Sequence, residues 1–351
     1  MSRFPHLVKA TRGHADRYET RHAGVISVVD GTGKEITSAG DTDVRFPLRS
    51  TSKPFQLLPY LLDGLHRTHP RGAEELAADL AVMMSSHGGE PMHTARVAAI
   101  LEASGLTAES LQCGAHWPYH PGTRNALLRA GRTPTALHSN CSGKHTGMLA
   151  VCKYRGWSLA GYTNPEHPIQ RRIHDIVSSL SCEISTPLPM SIDGCSLPTY
   201  WVSTRGLARM YAVLAYPATA ALVENRETGA LLEILFAAGT KHPEMIGGTD
   251  RFDTRMMQGF TGRLFAKSGA AGMYAMSVAP CASFPSGIGI AFKIEDGDFD
   301  NRVRPVVACE ILRQLGVTLP DPAVMAALAN ATIRNVRDLE TGEYRSVFQL
   351  S

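Results

Sequence analysis

Residues 46–56 of the 351-residue chain read FPLRSTSKPFQ, and the fold prediction starts from the Ser-x-x-Lys pattern inside them. Pro54 suits the first turn of a helix, where no backbone N–H is needed, and an apolar run follows it. Ser50 and Lys53 should therefore share one helix face. A lysine amine can take the proton of a serine hydroxyl when burial or nearby cations lower its pKa. The spacing supplies a candidate nucleophile and base, but a helix cap or an ordinary surface gives the same pattern.

A second box, Ala266-Lys267-Ser268-Gly269, lies between two β-like stretches nearer the C-terminus. It resembles the Lys-Ser/Thr-Gly box that lies on a strand in serine β-lactamases and penicillin-binding proteins. The two boxes also occur in the order expected for that group. Its middle box, Ser-x-Asn or Tyr-x-Asn, has no convincing copy at the expected place, which counts against a true β-lactamase.

Runs of β-prone residues occupy both ends of the chain, and helical periodicity occupies the middle. Residues 24–29 and 35–39 read as a hairpin, and β-like runs return between residues 263 and 294. The simplest architecture is an α+β fold in which helices back an antiparallel sheet built from both termini. We expect a sheet-containing domain of residues 1–52 and 261–351, a mostly helical region of residues 53–260, and an active site at their junction.

Composition and charge exclude several classes of function. The net charge is only +3 and the arginines are scattered, so the basic stripe typical of nucleic-acid-binding proteins is missing. Residues 1–22 lack the apolar core of a signal peptide, and no uncharged span has transmembrane length. Seven cysteines at irregular spacing argue against a disulfide framework. We therefore expect a cytoplasmic protein with neither a nucleic-acid nor a membrane partner.

Lysine is scarce in this chain, and its few positions are informative. Only eight of the 35 basic residues are lysines. Arginine cannot act as a general base, whereas lysine can once its pKa is lowered. Lys53, Lys144 and Lys267 each lie in a motif of small residues, and they are the candidates for chemistry.

Residues 85–90, SSHGGE, follow an apolar run and form another candidate motif. A helix or strand that ends in exposed Ser, His and Gly is a common way to present a hydroxyl and backbone N–H groups to a substrate. The paired glycines are equally consistent with a plain helix C-terminus.

The stretch from Ser139 to Met148, SNCSGKHTGM, opens a further apolar helix. It fails the phosphate-loop pattern because the first glycine is missing and a histidine follows Lys144, so a nucleotide hydrolase is excluded. Cys141 and Lys144 remain, and Cys195 follows an Asp-Gly pair later in the chain. Two thiolates favour Zn²⁺ over magnesium or calcium. Ordinary buried cysteines are the alternative interpretation.

Taken together, six ordered blocks resemble the Rhizobium etli-type, or class 3, L-asparaginases along nearly the whole chain. They are FPLRSTSKPFQ, MMSSHGGEPMH, LHSNCSGKHTGML, MSIDGCSLPTY, GTDRFDTRMM and AKSGAAGMY. The fold of that family resembles the folds of serine β-lactamases and glutaminases, which would account for the partial box pattern.

The resemblance implies a role for each matching residue. Ser50 and Lys53 would be the nucleophile and base of one Ser/Lys tandem, and Ser86 and Lys267 would form the second. Arg49 and Asp193 would bind the substrate, and His145 would lie close to the site and support it. Zinc would be bound by Cys141, Lys144 and Cys195, with water as the fourth ligand. The family further implies a homodimer and a β-aspartyl-enzyme formed on Ser50 from L-asparagine.

Two alternatives stay open at this point. The first is another serine/lysine amidohydrolase, such as a glutaminase. The second is a non-catalytic metal- or ligand-binding protein, in which Cys141, Lys144 and Cys195 would be structural and loss of the metal should unfold the chain.

Overall fold

A computed structural model describes residues 3–13, 17–184, 187–215, 226–319 and 321–351. The elements follow one another as β1 (His6–Thr11), β2 (Thr20–Asp30), β3 (Glu35–Ala39), β4 (Arg45–Pro47), α1 (Lys53–Leu62), α2 (Ala73–Met83), α3 (Pro91–Ala103), α4 (Pro121–Arg129), α5 (Ser142–Arg155), α6 (Pro168–Ser181), β5 (Met190–Ile192), β6 (Pro198–Ser203), α7 (Thr204–Ala215), α8 (Arg226–Lys241), α9 (Pro243–Ile246), α10 (Phe252–Phe260), β7 (Leu264–Ser268), β8 (Met273–Val278), β9 (Ile288–Ile294), α11 (Val303–Gln314), α12 (Pro322–Ala329), β10 (Thr332–Arg334) and β11 (Glu340–Ser346).

The main sheet is antiparallel and is built from both ends of the chain. Its strand order is β10-β11-β1-β2-β9-β8-β7, and β3 also pairs with β2. Strand β2 is long enough to pair with β1 near Thr20 and with β3 near Val28. It also pairs with β9, from Gly24 to Asp30 of β2. The predicted α+β class and the predicted sheet from both termini are confirmed. The division of the chain into two domains stays a prediction.

Helix α7 packs directly on the main sheet against β2, β8 and β9. The close approach requires a residue without a side chain, because a Cβ at Gly289 on β9 would lie 2.0 Å from the carbonyl oxygen of Ala208. Strands β8 and β9 are buried along their whole length. Each large apolar side chain buried in this way stabilises the fold by about 1.5–3 kcal/mol.

Most of the described residues between 53 and 260 lie in helices, but this part of the chain also contains sheet. Strand β6 pairs with β4 and β5 in a small antiparallel sheet. Strand β5 has only three residues and β6 begins with a proline, so neither shows the alternation that identifies a strand in sequence. In the described ranges of the chain, no helix is long and apolar enough to cross a membrane.

Candidate active site

Ser50 lies on a short 3-10 turn, Arg49–Ser52, between β4 and α1. Arg49 has a φ of 51°, in the left-handed region that residues with side chains rarely adopt. Its backbone N–H donates to the hydroxyl of Thr199 at 2.9 Å, and that of Leu48 donates to the carbonyl of Tyr200 at 3.0 Å. Both partners belong to β6. The small sheet therefore holds the turn that presents Ser50.

Lys53 begins α1 and is completely buried. Its Nζ lies 2.9 Å from Ser86 Oγ and 3.2 Å from the carbonyl oxygen of Asn140, and it donates to the carbonyl oxygen of Ser85. Among the hydrogen bonds of the described residues, none joins Lys53 to the hydroxyl of Ser50. The structure thus pairs Lys53 with the serine of the second tandem.

Lys267, which is distant from Lys53 in the sequence, contacts the same serine. It lies on β7, and its Nζ is 2.7 Å from Ser86 Oγ and 3.0 Å from the carbonyl oxygen of Ser268. Ser86 itself is fixed by its backbone N–H, which donates to the carbonyl of Ile246 at 2.9 Å. The hydroxyl of Ser86 therefore bridges the two buried amines.

Both amines are shifted towards the neutral form. Burial is the main cause that lowers the pKa of Lys53. The pKa of Lys267 is held well below its ordinary value, first by burial and second by the charge of Lys53. A neutral amine has two N–H donors and one lone pair. The carbonyls of Ser85 and Asn140 can only accept, so a neutral Lys53 would donate to both of them and would keep its lone pair free for a proton.

Ser50 and Ser86 open into one cavity of about 310 Å³. The other described residues that line it are Tyr119, Asn140, Arg251, Ser268, Gly269, Ala270, Ala271, Gly297, Phe299, Asn301 and Arg304. The volume suits a small substrate such as a single amino acid. The described lining does not include Arg49, Asp193 or His145, although Arg49 directly precedes Ser50.

Arg49 and Asp193 are paired with each other. Arg49 Nε lies 2.6 Å from Asp193 Oδ1, which also accepts the backbone N–H of Gly194 at 2.8 Å. Burial would raise the pKa of Asp193, but the charges of Lys144 and Arg49 outweigh it and hold that pKa below its ordinary value. Asp193 is therefore an anion whose second oxygen has no hydrogen-bond partner among the described residues.

The sequence matches the family described as L-asparaginase II over residues 8–346. The chain belongs to the L-asparaginase II family. This membership confirms the resemblance seen in the six sequence blocks, and it makes the chain an amidohydrolase that acts on a small-molecule substrate. None of the curated proteins compared with it matches the sequence.

Some of the solved structures that are similar to the structure of this chain are glutaminases. One is a Bacillus glutaminase in the presence of 4.3 M NaCl, with 13% identity, 84% of this chain and 91% of the other covered, and a TM-score of 0.46. Another is a probable glutaminase from Bacillus subtilis complexed with 6-diazo-5-oxo-L-norleucine, with 13% identity, 84% of each chain covered and a TM-score of 0.40.

The three predicted zinc ligands of this asparaginase-family chain lie together. Lys144 Nζ lies 3.2 Å from Cys195 Sγ. The proximity of Cys195 is the main cause that lowers the pKa of Cys141 well below its ordinary value. Burial would lower the pKa of Lys144, but the charges of the two cysteines outweigh it and raise that pKa. The lowered pKa of Cys141 and the raised pKa of Lys144 favour a thiolate beside an ammonium group.

Two sulfur atoms and one amine nitrogen, all buried, are a donor set that zinc accepts once the thiols and the amine are deprotonated. In the described part of the chain, no group of three or more His, Cys, Asp or Glu side chains is placed to hold a metal ion. A metal at this position therefore depends on Lys144 as its third protein ligand. The residues fit the site that the resemblance implies.

His145 follows Lys144 on α5 and is completely buried. Its Nδ1 lies 2.6 Å from the hydroxyl of Tyr162, and its Nε2 has no partner in the parts of the chain that the structure describes. Burial is the main cause that holds the pKa of His145 well below its ordinary value, so the ring is neutral. His145 thus packs against Tyr162 and is not among the described residues that line the cavity.

Residues 85–87 differ from the sequence prediction. The segment was expected to be exposed, but Ser85, Ser86 and His87 are all buried. His87 stacks on His93 with ring centroids 4.8 Å apart, and its Nε2 lies 2.9 Å from the hydroxyl of Ser142. Packing of α3 and α5 over the segment, which sequence periodicity does not show, explains the difference.

Sequence reasoning missed Asp253. Its buried carboxylate accepts the backbone N–H of Ser268 at 2.9 Å and the hydroxyl of Ser268 at 2.7 Å, directly beside Lys267. Burial would raise the pKa of Asp253, but the charge of Lys267 and the bonds from Ser268 outweigh it and lower that pKa. The motif GTDRFDTRMM contained this residue, but an acidic residue near a helix start is usually a cap, so nothing in the sequence singled it out.

Proposed function

We propose that the chain is an L-asparaginase that hydrolyses L-asparagine to L-aspartate and ammonia through an acyl-enzyme on Ser50. The observation that carries the proposal is the single cavity shared by Ser50 and Ser86, together with the bridge that Ser86 forms between two buried amines. Such an arrangement combines a hydroxyl nucleophile with a lysine base. The pKa of that lysine lies below its usual range, so the amine is neutral at a lower pH than an ordinary lysine. Family membership supports the choice of an amide as substrate.

In the first half-reaction, Ser50 Oγ attacks the carbon of the side-chain carboxamide. A C–O bond forms, the carbonyl oxygen becomes an oxyanion, and the hydroxyl proton passes to the neutral amine of Lys53. The Lys53 contact forms when substrate is bound, since catalytic hydrogen bonds commonly tighten only in the complex. When the oxyanion collapses, the C–N bond breaks and Lys53 returns the proton to the departing ammonia.

In the second half-reaction, water attacks the β-aspartyl ester. Lys53 accepts a proton from the water, the bond between the carbonyl carbon and Ser50 Oγ breaks, and the same proton restores the hydroxyl of Ser50. Burial favours the neutral form of Lys53, and Lys267 adds no charge beside it, because two amines close together cannot both be protonated at little cost. The hydroxyl of Ser86 is hydrogen-bonded to both amines and keeps them in position.

We also propose that Zn²⁺ is held by Cys141, Lys144 and Cys195 and tunes substrate binding. A zinc ion supplies positive charge and a rigid anchor when bound. Cys195 lies two residues after Asp193, the proposed acceptor for the α-ammonium group of the substrate. Ordering of Cys195 therefore orders the loop that carries Asp193. Nucleophile and base are already supplied by Ser50 and Lys53, so the chain's own residues account for bond breaking.

Two further properties are proposed from the family resemblance. The enzyme would act in the cytoplasm, in keeping with its unpaired cysteines, and it would form a homodimer. Size-exclusion chromatography with light scattering tests the second point, and a monomer at micromolar concentration would contradict it.

The experiment that tests the proposed function measures ammonia release by the purified protein from asparagine and glutamine, and ring opening of a chromogenic β-lactam. We expect turnover of asparagine with a kcat/KM at least about tenfold above that of glutamine. One methylene in a pocket supplies only about 1–3 kcal/mol, and misplacement of the carbonyl relative to the nucleophile adds to it. Equal kcat/KM values for the two amino acids would refute asparagine specificity. Hydrolysis of the β-lactam without turnover of either amino acid would refute the proposed amide hydrolysis.

A further inference from the structure

Arg251 lies at the wall of the cavity that Ser50 and Ser86 share, and none of the roles described above involves it. It directly precedes α10 and belongs to the GTDRFDTRMM block, to which the sequence assigned no chemistry. Its guanidinium carbon lies 5.8 Å from the ring centroid of Tyr119, a second residue of the same wall. An arginine packed over an aromatic ring has a restrained side chain that is ready to bind an anion.

The other guanidinium groups around this site already have partners. Arg304 Nε lies 3.1 Å from Asp298 Oδ2, and its Nη1 donates to the carbonyl of Gly269 at 3.0 Å. Arg49 is paired with Asp193 at 2.6 Å. No salt bridge among the described residues involves Arg251. Arg251 is therefore the guanidinium group at the described wall of the cavity that forms no salt bridge, although its charge also acts on Asp253.

The two lysines do not replace that charge. Lys53 and Lys267 are both shifted towards neutrality by burial, and their nitrogens are taken up by Ser86 and backbone carbonyls. An amino acid entering the cavity carries an α-carboxylate that loses its hydration there, and an unpaired buried anion is strongly unfavourable. A guanidinium fork matches a carboxylate in geometry and charge.

We propose that Arg251 binds the α-carboxylate of the amino-acid substrate, with Tyr119 holding the guanidinium in place. The inference rests on the proposed function, because it takes the substrate to be an amino acid that reacts at its side-chain amide. It assigns the two charged groups of the substrate to different residues: the carboxylate to Arg251 and the ammonium to Asp193.

The position of Tyr119 supports this division. Burial raises the pKa of Tyr119, and among the further charges that act on its hydroxyl are those of Arg251, Arg49 and Asp193. The charges of all three groups therefore reach the hydroxyl of Tyr119, which lies at the wall of the cavity. A substrate held between Arg251 and Asp193 would lie across Tyr119 with its side chain directed at the serines.

The test compares three amides in the wild type and in Arg251→Gln. Asparagine carries both charged groups, 3-aminopropanamide lacks only the α-carboxylate, and succinamate lacks only the α-amino group. We expect Arg251→Gln to lower kcat/KM for asparagine and succinamate on the order of 10- to 100-fold and to leave 3-aminopropanamide within about twofold. Where an analogue turns over too slowly, its competitive inhibition constant against asparagine is measured in its place.

Arg255→Gln is the matched control, because Arg255 is exposed on α10 one turn beyond Arg251 and does not line this cavity. It should leave all three compounds within about twofold. Arg251→Lys keeps the charge without the fork and should recover part of the loss. A melting temperature for each variant separates unfolding from a loss of binding, since unfolding lowers activity on all three compounds alike.

Two outcomes would overturn the inference. One is an equal loss on all three compounds in folded Arg251→Gln. The other is a carboxylate-dependent loss that follows Arg49→Gln and not Arg251→Gln. Both differ from failure of the proposed function, in which the wild type itself would release no ammonia from asparagine.

Discussion

Lys53 and Lys267 share one hydrogen-bond partner, the hydroxyl of Ser86, at 2.9 and 2.7 Å. A hydroxyl can donate one hydrogen bond and accept others. It can therefore donate to the lone pair of neutral Lys53 while it accepts an N–H from Lys267. Lys53, Ser86 and Lys267 are thus one hydrogen-bonded unit, and substitutions within that unit should not act independently.

Ser50→Ala and Lys53→Met should each abolish ammonia release from asparagine without loss of the fold. Residues that act as one unit are grossly non-additive, so the double variant should be hardly slower than either single one. Lys34→Met, at an exposed lysine in the hairpin between β2 and β3, is the control and should keep wild-type activity. Substantial turnover by Ser50→Ala, measured by coupled ammonia detection, would remove Ser50 as the nucleophile.

The pH profile should report the neutral amine. Burial lowers the pKa of Lys53 from its ordinary value of 10.5, and protonated Lys53 cannot act as a base. Activity should therefore rise with pH through a midpoint below 10.5 and be lost on the acid side of that midpoint. Initial rates of asparagine hydrolysis across the pH range give the midpoint. A profile that is flat, or that falls as pH rises towards neutrality, would contradict the role of Lys53.

Burial of Lys267 should cost stability in a pH-dependent way. Its pKa is well below the ordinary 10.5 in the folded state, so the unfolded chain binds more protons between those two values. The wild-type free energy of unfolding should then rise with pH across that window, by at most about 1.4 kcal/mol per pH unit from this residue. Lys267→Met lacks this contribution, so its stability relative to wild type should decline as pH rises.

Urea unfolding of the wild type, Lys267→Met and Lys34→Met at several pH values measures this effect. Lys34 is exposed, so its removal should leave the pH slope unchanged. Parallel stability curves for the wild type and Lys267→Met would show that Lys267 is charged in the folded protein.

Much of the fold follows from local pattern, whereas the connections within the site do not. Local signals, namely periodicity and turn residues, predict the hairpin of β2 and β3, the helix that follows Ser50 and a β-like stretch that ends just before Lys267. The meeting of Lys53 with Lys267 at Ser86 joins three segments that are distant in sequence. Nothing in their spacing shows that Lys53 pairs with Ser86 and not with Ser50.

Loss of zinc should weaken substrate binding more than it slows chemistry. Cys195→Ser, or treatment with a chelator, should raise KM for asparagine more than it lowers kcat, because the proposed metal orders the loop of Asp193. Cys152→Ser is the matched control, since Cys152 is buried on the same helix as Lys144 and has no proposed role. A metal-free enzyme that binds asparagine normally but has lost all turnover would show that zinc takes part in bond breaking.

The most direct test of the account is to locate the acyl group. The enzyme is mixed with asparagine, quenched in acid within the first turnover, digested and analysed by mass spectrometry. The account predicts a β-aspartyl ester on the peptide that contains Ser50, present in the wild type and missing from Ser50→Ala. An ester on Ser86, or rapid formation of aspartate with no serine ester at any time, would contradict it.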